Sequence, residues 1–195
     1  MCGIAGISFL KPNPKLSSNF YKLRKLLDHR GPDYYGRYTN SHLSLLHTRL
    51  SIVDISRGNQ PITNKKYVLI ANGEIYNDLE IRKNNKTYKY KTNSDSESIL
   101  ALYDKYGIDG LKKLRGMFAY AIFDKKLDQL IIGRDEFGIK PLYFSLIDDG
   151  IIFCSEMKPI ISLKSNKNLI NNFKIMEYMQ FQYCSGYGTI FDDIK

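Results

Sequence analysis

Four apolar runs crowd into less than 40 residues, at 117–123, 129–133, 142–146 and 151–154. Turn-forming stretches at 125–128 and 148–150 break up the series. Connections this short leave no room for the crossover that parallel strands need, so these runs read as antiparallel strands. No other feature limits the fold as much. Taken end to end, the chain runs strands, two helices, strands, helices, without a strict strand–helix alternation. That order argues for an α+β layered fold with antiparallel sheets, not a doubly wound one. The 195 residues suit one domain and can bury a core of ordinary proportion.

Earlier elements follow the same logic. An Ile-rich run at 3–9 reads as a buried strand, ended by Pro12 and Pro14. Ser17 or Ser18 could cap a helix over 20–28, with Phe20, Leu23, Leu26 and Leu27 on one face. Residues 29–33, HRGPD, break it as a turn. Strands are predicted at 44–50, 51–55 and 67–71, the last running into a tight turn at Asn72-Gly73-Glu74. A short helix over 76–83 and an edge strand within 84–92 come next. Ser94 and Asp95 are placed to cap a helix over 97–106 that Gly107 ends. Further helices are expected at 109–114, 157–163 and 173–179, with a polar connector at 164–172.

The formal net charge is +9, but the 29 Lys and Arg are spread along the chain and are densest in polar, loop-like stretches. With no zinc pattern and no RNA-binding aromatic signature, that charge reads as solvated surface, not a nucleic-acid face. No apolar run approaches the ~18 residues of a membrane helix. The start, MCGIAGISFLKPNPK, lacks the basic region of a signal peptide. Cys2, Cys154 and Cys184 cannot all pair internally, which fits a reducing, cytoplasmic setting. There is no GxSxG, no metal-ligand spacing and no phosphate-binding glycine loop, so neither metal nor cofactor is expected in this stretch.

What remains is a set of polar residues at strand ends. Cys2 follows the initiator methionine. Once Met1 is removed, Cys2 carries a thiol and a free α-amine that titrates near pH ~7.7–8.0. That is a nucleophile with its own base. Arg49 sits beside an apolar run and could pair with a structural carboxylate or fork onto a substrate carboxylate. Asn72 is a turn residue by default, yet its amide beside the Gly73 N–H also offers two donors, as an oxyanion hole requires. Glu74 adjoins them. Asp95 could be a helix cap or a site carboxylate. His29, His42 and His47 read as structural or exposed.

The words MCGIAGI, HRGPD, HTRLSIVD, QPI, NGEIYN, SDSE, RGMFAYAIFD, GRDEFGIKPLY and SEMK occur in that order. Together they resemble the glutaminase domain of class II glutamine amidotransferases. More narrowly, they are similar to the N-terminal half of glutamine-hydrolysing asparagine synthetases. The resemblance implies an N-terminal nucleophile hydrolase fold, a four-layer αββα sandwich of two antiparallel sheets. It implies that Cys2 attacks the side-chain amide of L-glutamine through a thioester, with Asn72 and Gly73 holding the oxyanion. It further implies that Arg49 clamps the α-carboxylate, that Glu74 and Asp95 receive the α-ammonium, and that the backbone of Leu50, Ile52 and Val53 lines the pocket. His29 and Arg30 would organise the turn near the nucleophile.

That family continues into a synthetase domain using ATP, Mg and aspartate, and no such segment is present here. The end at Lys195 therefore reads as a truncation, and the synthetase domain is the expected partner. A homodimer is also compatible. The acceptor stays open between aspartate and another carboxylate such as a sugar acid. A non-catalytic binding or assembly domain is the alternative of another class.

Overall fold

The structure, a computed structural model, describes residues 1–14, 16–52, 54–164 and 169–195. Among these, two antiparallel sheets form. The first has five strands in the order β2 (Tyr34–Thr39), β3 (Leu43–Arg49), β1 (Gly3–Phe9), β9 (Gly150–Cys154), β8 (Tyr143–Ile147). The second has four, in the order β4 (Ile62–Thr63), β5 (Tyr67–Ile75), β6 (Gly116–Asp124), β7 (Gln129–Arg134). The crowded runs of the second half become two hairpins, β6–β7 and β8–β9, one in each sheet.

The two-residue repeat of each strand sorts its side chains into layers. Ile4, Leu43, Leu45, Val68, Ile70, Ala119, Ala121 and Phe153 face inward and pack sheet against sheet. Their neighbours Ala5, Leu46 and Ile152 face outward, under α1 (Leu16–Leu27) and α5 (Met157–Leu163). Leu69, Ala71, Tyr120 and Ile122 face the other way, under α2 (Asp78–Asn84), α3 (Glu97–Tyr106) and α4 (Ile108–Leu111). The result is the expected αββα sandwich. Close approach fixes one glycine: a Cβ on Gly6 would lie 2.4 Å from the Phe153 ring. A last helix, α6 (Asn172–Phe181), has no buried residue.

Several local expectations are corrected. The first helix starts at Leu16, so Ser17 and Ser18 fall inside it and do not precede it. Strand β2 was not foreseen; as an edge strand its pattern YYGRYT alternates too weakly to read. The described residues of 51–55 form a loop and not a strand. Residues 84–92 form no edge strand, because the buried Glu97 carboxylate gathers the N–H groups of Lys91 and Thr92 at 2.7–3.0 Å. Helix α3 spans the predicted residues, but no side chain caps it.

The largest correction concerns Asn72-Gly73-Glu74. It is not a turn: β5 runs through it to Ile75, pairing with β6 residue for residue as far as Gly116. Gly73 makes this approach feasible. Its φ is +153°, and a Cβ there would meet the Met117 carbonyl at 2.1 Å.

Candidate active site

At one end of the sandwich the inward-facing stripes turn from apolar to polar. Ile4 on β1 is continued by Cys2. Leu43 and Leu45 on β3 are continued by His47 and Arg49, Val68 and Ile70 on β5 by Asn72, and Ala121 and Ala119 on β6 by Met117. The same repeat that builds the core therefore carries these side chains to its rim. There they enclose a cavity of about 150 Å³, which Leu50, Ile52, Gly73, Glu74 and Asp95 also line. Every candidate site residue named from the sequence meets there except Val53, which lies outside the described residues.

Cys2 is held on both sides. Its thiol lies 3.7 Å from the Leu50 carbonyl, within reach for a weak S–H donor. Its own carbonyl accepts from Arg30 Nε at 3.0 Å. Arg30 Nη1 in turn donates to Glu156 at 3.0 Å, and His29 Nε2 reaches the same carboxylate at 2.8 Å. Burial alone would raise the Glu156 carboxyl, but the hydrogen bonds from Arg30 and His29 prevail and hold it below its usual range. Next to it, Ser155 exchanges two hydrogen bonds with Ile4, fixing the strand behind Cys2. The sequence marked His29 and Arg30 as organisers of this region but did not supply Glu156, 126 residues from Arg30. Cys154 is buried, and burial pushes its thiol up to about 12. It is no nucleophile.

Arg49 is buried, and its guanidinium turns toward the 54–59 loop. Nη1 donates to Asn59 Oδ1 at 2.6 Å and to the Ile55 carbonyl at 3.1 Å, and Nη2 donates to the Asp54 carbonyl at 2.8 Å. It therefore ties down the 54–59 loop while lining the cavity.

The free edge of β5 explains the donors. Strand β4 covers it only opposite Val68 and Leu69. Beyond that point, Ala71 N–H donates to Gln60 Oε1 at 2.6 Å and Ile75 N–H donates to Asp95 Oδ2 at 2.5 Å. By the two-residue repeat, Gly73 presents its N–H to this same edge, between those two, at the cavity. Beside it Asn72 is 3% exposed, and its Nδ2 is a buried donor with no partner. A buried amide left unpaired is costly, and such exceptions call for an explanation.

Asp95 sits at the cavity as a carboxylate whose pKa burial raises, the backbone bond from Ile75 offsetting only part of the effect. Its carboxylate thus joins the start of α3 to the open edge of β5. Glu74 is exposed at the rim. Among the lining residues that the sequence did not single out for the site are His47, Gln60 and Lys140. Lys140 follows Asp135, whose buried carboxylate accepts from Ile139 and Lys140 N–H and aims the 135–140 loop back at the cavity.

A family profile for the glutamine amidotransferase domain matches residues 1–195. The chain belongs to that family. As a glutamine amidotransferase domain it is 36% identical, along its whole length, to asparagine synthetase [glutamine-hydrolyzing] 1 of Bacillus subtilis, of which it covers 32%. It is 43% identical over 83% of its length to asparagine synthetase B of Escherichia coli K12, of which it covers 30%. The domain thus spans about a third of the length of these relatives. In fold it is similar to a structure titled as the allosteric regulatory enzyme of purine biosynthesis. The TM-score is 0.65 at 18% identity, covering 82% of this chain and 43% of that one. It is also similar to glutamine phosphoribosylpyrophosphate amidotransferase from B. subtilis, with TM-score 0.62 at 19% identity and the same shares covered. At these identities the likeness is one of fold, the layered two-sheet α+β architecture.

Proposed function

We propose that this amidotransferase domain hydrolyses L-glutamine to glutamate and ammonia at the cavity between its sheets. The observation that carries the proposal is the unpartnered amide of Asn72, buried beside the cavity that Cys2 lines. Such a donor suits a negative charge that exists only during reaction.

With Met1 removed, the Cys2 α-amine takes the thiol proton and the thiolate attacks the side-chain amide carbon of glutamine. The carbonyl electrons move onto oxygen, where Asn72 Nδ2–H and Gly73 N–H receive them. The intermediate collapses, the C–N bond breaks, and the amine returns the proton to the leaving ammonia. Water then cleaves the thioester, releasing glutamate and the thiol. Arg49 receives the substrate α-carboxylate and Glu74 and Asp95 its α-ammonium, with the backbone of Leu50, Ile52 and Val53 as the wall. While Met1 remains, the nitrogen of Cys2 is an amide and cannot act as base.

The relatives are three times longer and are named for making asparagine. We propose that ammonia passes from this domain to an ATP- and Mg-dependent synthetase segment, with aspartate as acceptor. α6 supports a packing partner: Phe173, Met176 and Met179 are each about 70–80% exposed on a helix that buries nothing. Ammonia release from glutamine, measured on chain whose Met1 removal is verified by mass spectrometry, tests the glutaminase step. Cys2→Ala is expected to abolish release with the fold intact; retained activity would end this mechanism.

A further inference from the structure

His47 is fully buried on β3 and reaches across to the other sheet, its Nε2 lying 3.1 Å from the Ala71 carbonyl. A carbonyl only accepts, so Nε2 carries the proton and donates. Nδ1 is then the lone-pair nitrogen, buried and without a partner. Burial holds the ring neutral, with its pKa lowered to about 3. Ala71 N–H meanwhile donates to Gln60 Oε1 at 2.6 Å. Both edge-facing backbone groups of Ala71 are thus held by side chains, just where β4 has ended and no strand can hold them.

The next residue is Asn72 and the one after it Gly73, the two oxyanion donors. We infer that His47 and Gln60 are positioning residues: they fix the Ala71 backbone so that Asn72 Nδ2 and Gly73 N–H converge on one point. Resting on the glutaminase function proposed above, this makes His47 a fixed hydrogen-bond donor and neither a base nor a nucleophile partner. Without its bond the donors keep their identity but lose their aim, and misplacement by ~1 Å at a reacting centre costs about 10²-fold.

The test compares His47→Gln, whose amide nitrogen reaches as far as Nε2, with His47→Asn, whose amide is shorter, and with His47→Leu. Expected for Asn and Leu is a kcat for glutamine hydrolysis lower by about 10–10²-fold with KM little changed. His47→Gln should restore most of the loss, with a pH profile shaped like that of the parent. Iodoacetamide should alkylate Cys2 at the same rate in all three. Amide hydrogen exchange at 71–75 should quicken in the Asn and Leu variants and stay slow in Gln. That exchange measurement needs no turnover, so it reads the positioning even if the parent chain releases no ammonia, an outcome that would count against the glutaminase function alone. Overturning results are unchanged kcat or unchanged exchange in a folded His47→Asn variant, a pH limb lost in His47→Gln, or slowed alkylation of Cys2. If His47→Leu fails to fold, the Asn and Gln pair decides.

Discussion

Arg30 Nε donates to the carbonyl of Cys2 at 3.0 Å, so the proposed nucleophile is held by its backbone and its thiol stays available. The Arg30 side chain is 8% exposed and its charge is met by Glu156.

Glu156→Gln should therefore weaken both fold and activity. A buried Arg30 would face a neutral amide, and losing one partner of such a pair is costly. Because the Glu156 carboxyl is held below its usual range, the stabilisation is present above the unfolded carboxylate pKa. It is lost as pH falls through the folded one. Thermal melting of wild type and Glu156→Gln should differ at neutral pH and converge in acid.

Asn72→Ala should lower kcat for glutamine hydrolysis by about 10²–10³-fold, the scale of losing one oxyanion donor. Stability should hold or improve, since the deleted amide nitrogen has no partner to lose. A loss of only a few-fold in steady-state rates would remove Asn72 from this role.

Arg49→Lys should raise KM for glutamine by at least about 10-fold, as an ammonium cannot reproduce the fork. The bonds to Asp54, Ile55 and Asn59 add a structural cost: stability should also fall, by about 2 kcal/mol, as charge-assisted bonds are lost. Urea unfolding and hydrogen exchange at 54–59 measure the structural part, and a KM unmoved in the folded variant would leave Arg49 with the loop alone.

Asp95→Asn separates binding from stability in the opposite sense. The amide oxygen can still accept from Ile75, while the carboxylate whose pKa burial raises is gone. Since the folded state favours the protonated form, ionised Asp95 costs stability above its raised pKa, a cost relieved as pH falls. Asp95→Asn should melt at the same temperature or higher near neutrality, yet show a raised KM for glutamine. In wild type KM should climb in acid, starting above the ordinary carboxylate range, and this climb should flatten in the variant.

Much of this molecule was legible in the chain itself. Short turns between apolar runs dictated the β6–β7 and β8–β9 hairpins, because connections of that length permit only antiparallel pairing. Residue chemistry marked Cys2, Arg49, Asn72 and Asp95, since few side chains can attack, fork, donate or hold a buried charge. Local sequence could not tell a turn from a strand at Asn72-Gly73-Glu74. That choice belongs to β6, whose Met117 and Gly116 lie against Gly73 and Glu74 and draw the segment straight. Nor could it pair Arg30 with Glu156 or His47 with Ala71, bonds that span 126 and 24 residues. Such partners are chosen by which strands become neighbours in a sheet and which faces meet across the sandwich. Packing of the two sheets alone brings the ends of four inward stripes to one cavity.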